Sequence, residues 1–318
     1  MSTAPPPISP DGSHERSLMR FGIDLGGTKI EIVALGDDGR VLLRERVATP
    51  RTTYRDTIDA IGGLVAMAEA RLGCRGTVGV AMPGTLNVAG LVKNANSTVL
   101  IGHPLDRDLE ALLGRPVRVA NDANCFALSE ATDGAAAGCD IVFGIIAGTG
   151  IGGGVCVNGR ILSGAHGIAG EWGHNPLPAP RADEMAGPAC YCGRSGCIES
   201  WICGPALERQ YQTRAGRTLS AAEIAQAARA GDATAAAVME DFFDRFARAI
   251  GTLVNILDPD AIVLGGGLSN IEALPAELSA RVMAYAFTPE VPPHIVRNRH
   301  GDSSGVRGAA WLWRADET

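Results

Sequence analysis

The chain has 318 residues, enough for about two domains. Hydrophobic residues make up 46% and charged residues 20%, the balance of a globular chain that buries a full core. The net charge is −7, from 35 acidic and 28 basic residues without a Lys/Arg cluster, which argues against nucleic acid or an anionic membrane as partner. Any bound anion must then be held locally, by backbone N–H groups and a few cations.

The start, MSTAPPPISPDGSHERS, has no apolar segment and no signal-peptide layout. Its Pro and Ser content reads as a disordered tail over residues 1–19. No apolar run reaches the roughly 18 residues needed to span a bilayer, so a cytoplasmic location is expected.

The first elements form a cycle. FGIDLGGTKIEIVAL, from Phe21 to Leu35, is a strand pattern interrupted by a glycine pair. The Asp38-Gly39 turn and VLLRERVATP continue it as a hairpin. Tyr54 to Leu72 has helical periodicity, and GTVGVAMPG reads as a buried strand. VRVAND, Val117 to Asp122, is another strand, and ANCFALSEATDGAAA then reads as a helix. A second cycle starts at Asp140 with IVFGIIAGTGIGGGVCVNGRIL. GGT at Gly26 and GTG at Gly148, then GRVL at Gly39 and GRIL at Gly159, fall at equivalent places. This weak repeat suggests two related α/β domains facing one cleft, with similar glycine-rich hairpins as the plainer alternative.

From Gly164 to Trp201 the chain is rich in Gly, Pro, Cys and His and poor in periodicity, as functional or metal-bound loops are. Residues Ala221 to Leu257 read as helical, ending at Asp258-Pro259. AIVLGGGLSN reads as a buried strand entering a glycine turn and then a helix, and Gly305 to Trp313 as a terminal helix.

Three glycine turns follow apolar strands: Gly26-Gly27-Thr28-Lys29, Gly148-Thr149-Gly150 and Gly265-Gly266-Gly267. Exposed N–H groups at such turns form anion nests, and Thr28, Thr149 and Lys29 add hydroxyls and a cation. None fits a Walker A or dinucleotide spacing, so each alone is explained as well by a tight hairpin. Asp122, at a strand end, suits either a helix N-cap or a general base acting on a hydroxyl. Cys190, Cys192 and Cys197 crowd into CYCGRSGC. Thiols interleaved with glycines point to tetrahedral zinc rather than disulfides, with His174 as the nearest upstream fourth ligand. In GEWGH, Glu171 and His174 lie three residues apart and suit vicinal sugar hydroxyls; Glu199 follows the last thiol. Read alone, Glu171 and Glu199 are ordinary surface charges.

Together these segments resemble the repressor/open-reading-frame/kinase (ROK) family of sugar kinases. DLGGTK and AGTGIGGG look like its phosphate motifs, VLGGG its adenosine motif and NDANCFALSE its catalytic segment. AGEWGHNPL and CYCGRSGCIE are similar to its ExGH and CxCGxxGCxE signature at every position. The resemblance implies an α/β protein of the actin-like ATPase (ribonuclease H-like) fold, with two domains around a cleft. A small domain over 20–121, rejoined by a C-terminal helix over 305–316, would face a large domain over 122–304 that carries a zinc loop over 174–197. ATP would be held by Asp24, Gly26, Gly27, Thr28, Lys29, Thr149, Gly150 and Gly265 to Gly267, with Mg²⁺ near Asp24. The sugar would be held by Asn121, Asp122, Glu171, His174 and Glu199, with Gly84 and Asn96 contributing. Asp122 would be the catalytic base, and His174, Cys190, Cys192 and Cys197 would hold structural Zn²⁺.

VKNANSTVL, EWGHNPLP and HGDSSGVRGAAWLW look most like bacterial fructokinases. The expected reaction is therefore ATP-dependent phosphorylation of fructose, with mannose as a second substrate. N-acetylglucosamine kinase and glucokinase are the alternatives within the family. The family also contains sugar-responsive repressors, which carry a helix-turn-helix domain ahead of DxGGT. Only twenty residues precede Phe21 here, which favours the enzyme. The resemblance further implies a homodimer.

Overall fold

The computed structural model describes residues 19–50, 52–95, 97–287 and 290–314. The first eighteen residues of the expected tail, and Asn96, lie outside the described residues. No helix among the described residues is long and apolar enough to cross a membrane.

Alternating apolar residues around the Gly26-Gly27 break build β1 (Arg20–Leu25) and β2 (Lys29–Leu35), and β3 (Val41–Ala48) follows the Asp38-Gly39 turn. These three run antiparallel. Helix α1 (Tyr54–Leu72) opens on Thr53, whose side chain accepts from Asp56 N, and closes on Gly73 at φ 68°. Then come β4 (Thr77–Met82), the short hairpin β5 (Thr85–Leu86) and β6 (Val92–Lys93), α2 (Leu105–Leu113), β7 (Val117–Asn121) and α3 (Asp122–Thr132). β4 and β7 join β1 in parallel, so the sheet order is β3-β2-β1-β4-β7.

The second half repeats the pattern. β8 (Ile141–Ala147), β9 (Ile151–Val157) and β10 (Arg160–Ile161) are antiparallel. After α4 (Ile198–Ile202), α5 (Gly204–Ala215), α6 (Ala221–Arg229) and α7 (Ala233–Leu257), β11 (Ala261–Gly265) pairs with β8 in parallel. α8 (Leu274–Val282) leads to β12 (Ile295–Arg297), parallel to β11, and α9 (Ser304–Ala310) ends the helices. The order β10-β9-β8-β11-β12 matches the first sheet strand for strand and direction for direction. The weak sequence repeat is thus a repeat of topology. Each sheet has its own core, one around Phe21, Ile23 and Val80, the other around Tyr211, Phe242 and Phe246.

Helix α9 packs between β1, β4 and α3 at backbone distance. A Cβ on Gly22 would lie 2.0 Å from Val306 O, one on Gly79 1.9 Å from Ala309 O, and one on Gly308 1.7 Å from Cys125 O. Only glycine permits such contacts.

Several elements differ from expectation. The stretch read as helical from Ala221 is two helices, because Gly231 at φ 93° breaks it and Asp232 caps the next by accepting from Ala235 N. The strand read as reaching Asp122 stops at Asn121. The turn after β11 enters a 3₁₀ segment, Gly267–Asn270, and the α-helix starts only at Leu274. Helices α2 and α5 carry no motif and were not anticipated.

Candidate active site

The junction of β7 and α3 separates two roles that the sequence left merged. Asn121 is the cap: its Oδ1 accepts from Ala123 N at 2.9 Å and from Asn124 N at 3.3 Å. Its amide nitrogen donates to Gly84 O at 3.1 Å, tying the turn after β4 to the same corner. Gly84 sits at φ 81°, where a Cβ would lie 2.4 Å from Lys93 O. Asp122 is therefore not needed as the cap, although its Oδ1 also accepts from Ala123 N at 2.8 Å. Burial pushes the Asp122 pKa up; the Ala123 N–H opposes this and the Glu171 carboxylate adds to it.

A cavity of about 1180 Å³ gathers Asp122 and Asn121 with Glu171, His174 and Glu199, and Gly84 lines it too. A second cavity, about 690 Å³, lies on the other side of the β8–β9 turn. Gly148 and Thr149 line both, so the two spaces meet at that turn. Glu199 has a double position. It lines the first cavity, and its Oε2 accepts from Ile151 N at 2.9 Å behind the turn. A Cβ on Gly150 would lie 2.6 Å from that carboxylate oxygen, so the close approach requires glycine there.

The three glycines of the Gly265-Gly266-Gly267 turn serve three different ends. A Cβ on Gly265 would meet the Phe126 ring at 2.5 Å, and Gly266 at φ 78° turns the chain against Ala147 O. Only Gly267 lines the second cavity. Facing it are Glu208 from α5 and Gln226 and Arg229 from α6, with Ser220 at the α6 cap. These residues escaped the sequence reading. The capping box of Ser220 and Glu223 marks a helix start, but nothing local says which cavity that helix walls.

Gly26, Gly27, Thr28 and Lys29 form the β1–β2 turn, closed by Gly26 N to Lys29 O at 3.1 Å and Thr49 Oγ1 to Gly26 O at 2.7 Å. The turn is exposed from Gly27 to Lys29 and is not in the wall of either cavity. At the end of β1, the Asp24 pKa is pushed up to about 6 by burial and by the Asp122 and Glu31 carboxylates, against Lys29 and Arg46. Glu31 is already paired with Arg44 and Arg46, so Asp24 and Asp122 are the carboxylates whose mutual repulsion a divalent cation such as Mg²⁺ would relieve.

The loop after β10 is shaped by turns. Cys190 N donates to Arg194 O at 2.8 Å, Gly193 N to Cys190 O at 3.0 Å and Leu177 N to Gly196 O at 2.9 Å. Gly193 and Gly196 take positive φ. These turns bring one ligand atom each of His174, Cys190, Cys192 and Cys197 within 4.8 Å of one another. Cys192 Sγ and Cys197 Sγ are 3.6 Å apart, as are Cys190 Sγ and His174 Nδ1. Such spacing suits tetrahedral zinc, whose metal–sulfur bonds are about 2.3 Å. The loop is also pinned to α7. Glu184, fully buried, bonds Arg245 at 2.7 Å and Arg248 at 2.9 Å. Burial would raise its carboxyl pKa, but hydrogen bonds from Arg248, the Arg181 N–H and Arg245 bring it down to about 2.

His174 turns its Nδ1 to the thiols, and its Nε2 lies 4.0 Å from a Glu171 carboxylate oxygen and 3.0 Å from the Tyr191 hydroxyl. Tyr191 was not singled out from sequence, because it sits inside the cysteine motif as one of its variable positions.

Duplicated sheets of this order, glycine turns bordering the two cavities and a Cys₃His cluster beside the cavity that holds Asp122 are the architecture of the actin-like ATPase fold. The ROK family profile matches residues 20–316, and the chain belongs to the ROK family. It is 43% identical over 306 residues to N-acetyl-D-glucosamine kinase of Shigella boydii serotype 4, covering 94% of this chain and all of the relative. The structure is similar to that of a ROK hexokinase from Thermus thermophilus: TM-score 0.80, 34% identity, 93% of this chain and 97% of the other. It is also similar to a ROK family glucokinase from Streptomyces griseus in complex with glucose and AMPPNP: TM-score 0.72, 30% identity, 92% and 98% coverage.

Proposed function

We propose that this chain transfers the γ-phosphoryl group of ATP to the 6-hydroxyl of N-acetyl-D-glucosamine, giving the 6-phosphate and ADP. The observation that carries the kinase reading is the meeting of the two cavities at Gly148 and Thr149, with Asp122 on one side and Gly267 on the other. Adenosine would lie against Gly267, Gln226 and Arg229. The phosphates would cross Thr149 and Gly150 towards the β1–β2 turn with Thr28 and Lys29. The sugar would lie against Asn121, Glu171 and His174. Asp122 takes the hydroxyl proton as that oxygen attacks the γ-phosphorus and the bond to the leaving ADP oxygen breaks. Mg²⁺, when bound near Asp24, supplies neutralisation of phosphate charge. Zinc, held by His174, Cys190, Cys192 and Cys197, is structural, since four protein ligands leave no position for an activated water.

The amino sugar rests on the relatives. Full-length similarity at 43% to an N-acetyl-D-glucosamine kinase supports it over fructose, the sugar expected from short segments alone. Those segments lie partly outside the sugar cavity, so they report ancestry more than pocket shape. An ADP-release assay across N-acetylglucosamine, glucose, mannose and fructose tests the reading. The highest kcat/KM is expected for N-acetylglucosamine. A tenfold preference for fructose would restore the first expectation, and no turnover with any sugar would end the kinase reading.

A further inference from the structure

Tyr191 lies between two zinc ligands and is 80% exposed, yet its hydroxyl is engaged. It lies 3.0 Å from His174 Nε2, and the two rings meet edge-to-face with centroids 5.1 Å apart. Among the described residues no other hydrogen-bond partner of that hydroxyl is seen. The backbone beneath it is held by the Cys190–Arg194 and Gly193–Cys190 turns.

The place it fills is chemically specific. With a metal on Nδ1, a neutral imidazole carries its proton on Nε2 and donates it. With zinc on Nδ1, the acceptor at 3.0 Å would be the Tyr191 oxygen. Tyr191, His174 and Glu171 all line the cavity that holds Asp122. The Tyr191 hydroxyl and a Glu171 carboxylate oxygen stand 3.0 and 4.0 Å from His174 Nε2, so a sugar hydroxyl accepting from that nitrogen would compete with the phenol oxygen.

We propose that Tyr191 is a displaceable stand-in for a sugar hydroxyl, which the substrate must expel from His174 Nε2 and which thereby sets sugar affinity. This rests on reading the cavity as the sugar site. The phenol holds the orientation of the His174 ring through the 3.0 Å contact and the edge-to-face packing. It costs the sugar a competing hydrogen bond, which corresponds to roughly a two- to tenfold weakening.

The test is Tyr191→Phe in zinc-loaded enzyme. Phenylalanine keeps the ring and its edge contact but removes the competing oxygen. The sugar KM is expected to fall two- to tenfold. The ATP KM and zinc content should stay within about twofold of wild type, the effect falling on KM rather than kcat. In ¹⁵N-histidine-labelled protein without sugar, the His174 Hε2 proton should exchange with water several-fold faster in the variant. An unchanged sugar KM, or an unchanged Hε2 exchange rate, overturns the proposal. A raised KM also overturns it, by making Tyr191 a direct sugar contact. Wild-type turnover across the sugar panel judges the kinase reading separately, and if wild type phosphorylates no sugar both fall.

Discussion

Asp122 shows how one position can be legible in type and ambiguous in role. A carboxylate at a strand-to-helix junction fits a cap or a base, and local sequence offers no choice between them. The structure assigns the cap to Asn121, whose Oδ1 takes both the Ala123 and Asn124 N–H groups. Asp122→Asn should therefore keep the fold, with a melting temperature close to wild type. If Asp122 is the base, kcat should drop by about 10²–10⁴-fold with sugar KM largely kept. More than a tenth of wild-type kcat would reject that role. Asp24 makes stability depend on pH. Its folded pKa, about 6, lies above its ordinary 3.8, so ionising it is harder in the folded protein. The cost is absent below pH 3.8, grows through the interval and is complete above about 6. It amounts to at most about 3 kcal/mol. Asp24→Asn removes it, so the variant's gain in melting temperature should be larger at pH 8 than at pH 4. Equal shifts at both pH values would show that the carboxyl is not perturbed.

Among the elements, the cysteine loop is the most legible in sequence and the α5–α6 wall of the second cavity the least. Three thiols within eight residues, with glycines between, constrain a loop by covalent spacing alone, and the structure places their sulfurs together with His174. The loop's second anchor is not local. Glu184 reaches Arg245 and Arg248, which are more than sixty residues away on α7. Two anchors give a distinctive expectation for Cys192→Ser. The variant should lose the roughly one zinc per chain expected of wild type, yet stay folded because the Glu184 cluster remains. Sugar KM should rise well above its wild-type value while ATP KM changes little, since His174 rides on this loop and the α5–α6 wall of the second cavity, proposed for ATP, does not. Elemental analysis with two-substrate kinetics reads both. Full activity in protein without zinc would overturn the assignment. Helices α5 and α6, by contrast, carry Glu208, Gln226 and Arg229 to the second cavity with no motif to announce them. Helical periodicity tells which face is buried, not which cavity the exposed edge borders.

For the whole molecule, charge and topology carry different messages. A net charge of −7 without a basic cluster leaves no source for counterion release on DNA. Binding to duplex DNA at physiological salt should thus be weaker than micromolar in an anisotropy assay. Submicromolar affinity would reopen the regulator reading. Topology is where sequence and tertiary structure divide. The sequence by itself determined what short-range chemistry encodes: the alternation that makes the β1–β2 and β8–β9 hairpins, the glycine turns, the carboxylate after Asn121 and the cysteine cluster. Each is set by backbone geometry or ligand spacing within about ten residues. Only the tertiary structure decided the matched order of the two sheets, which needs β11 beside β8 across more than a hundred residues. It alone brought Gly148 and Thr149 to the meeting of the two cavities and seated α9 on Gly22 and Gly79. Long-range packing made those choices, and it leaves little trace in any one segment because each partner looks like ordinary core or ordinary surface until the other is beside it.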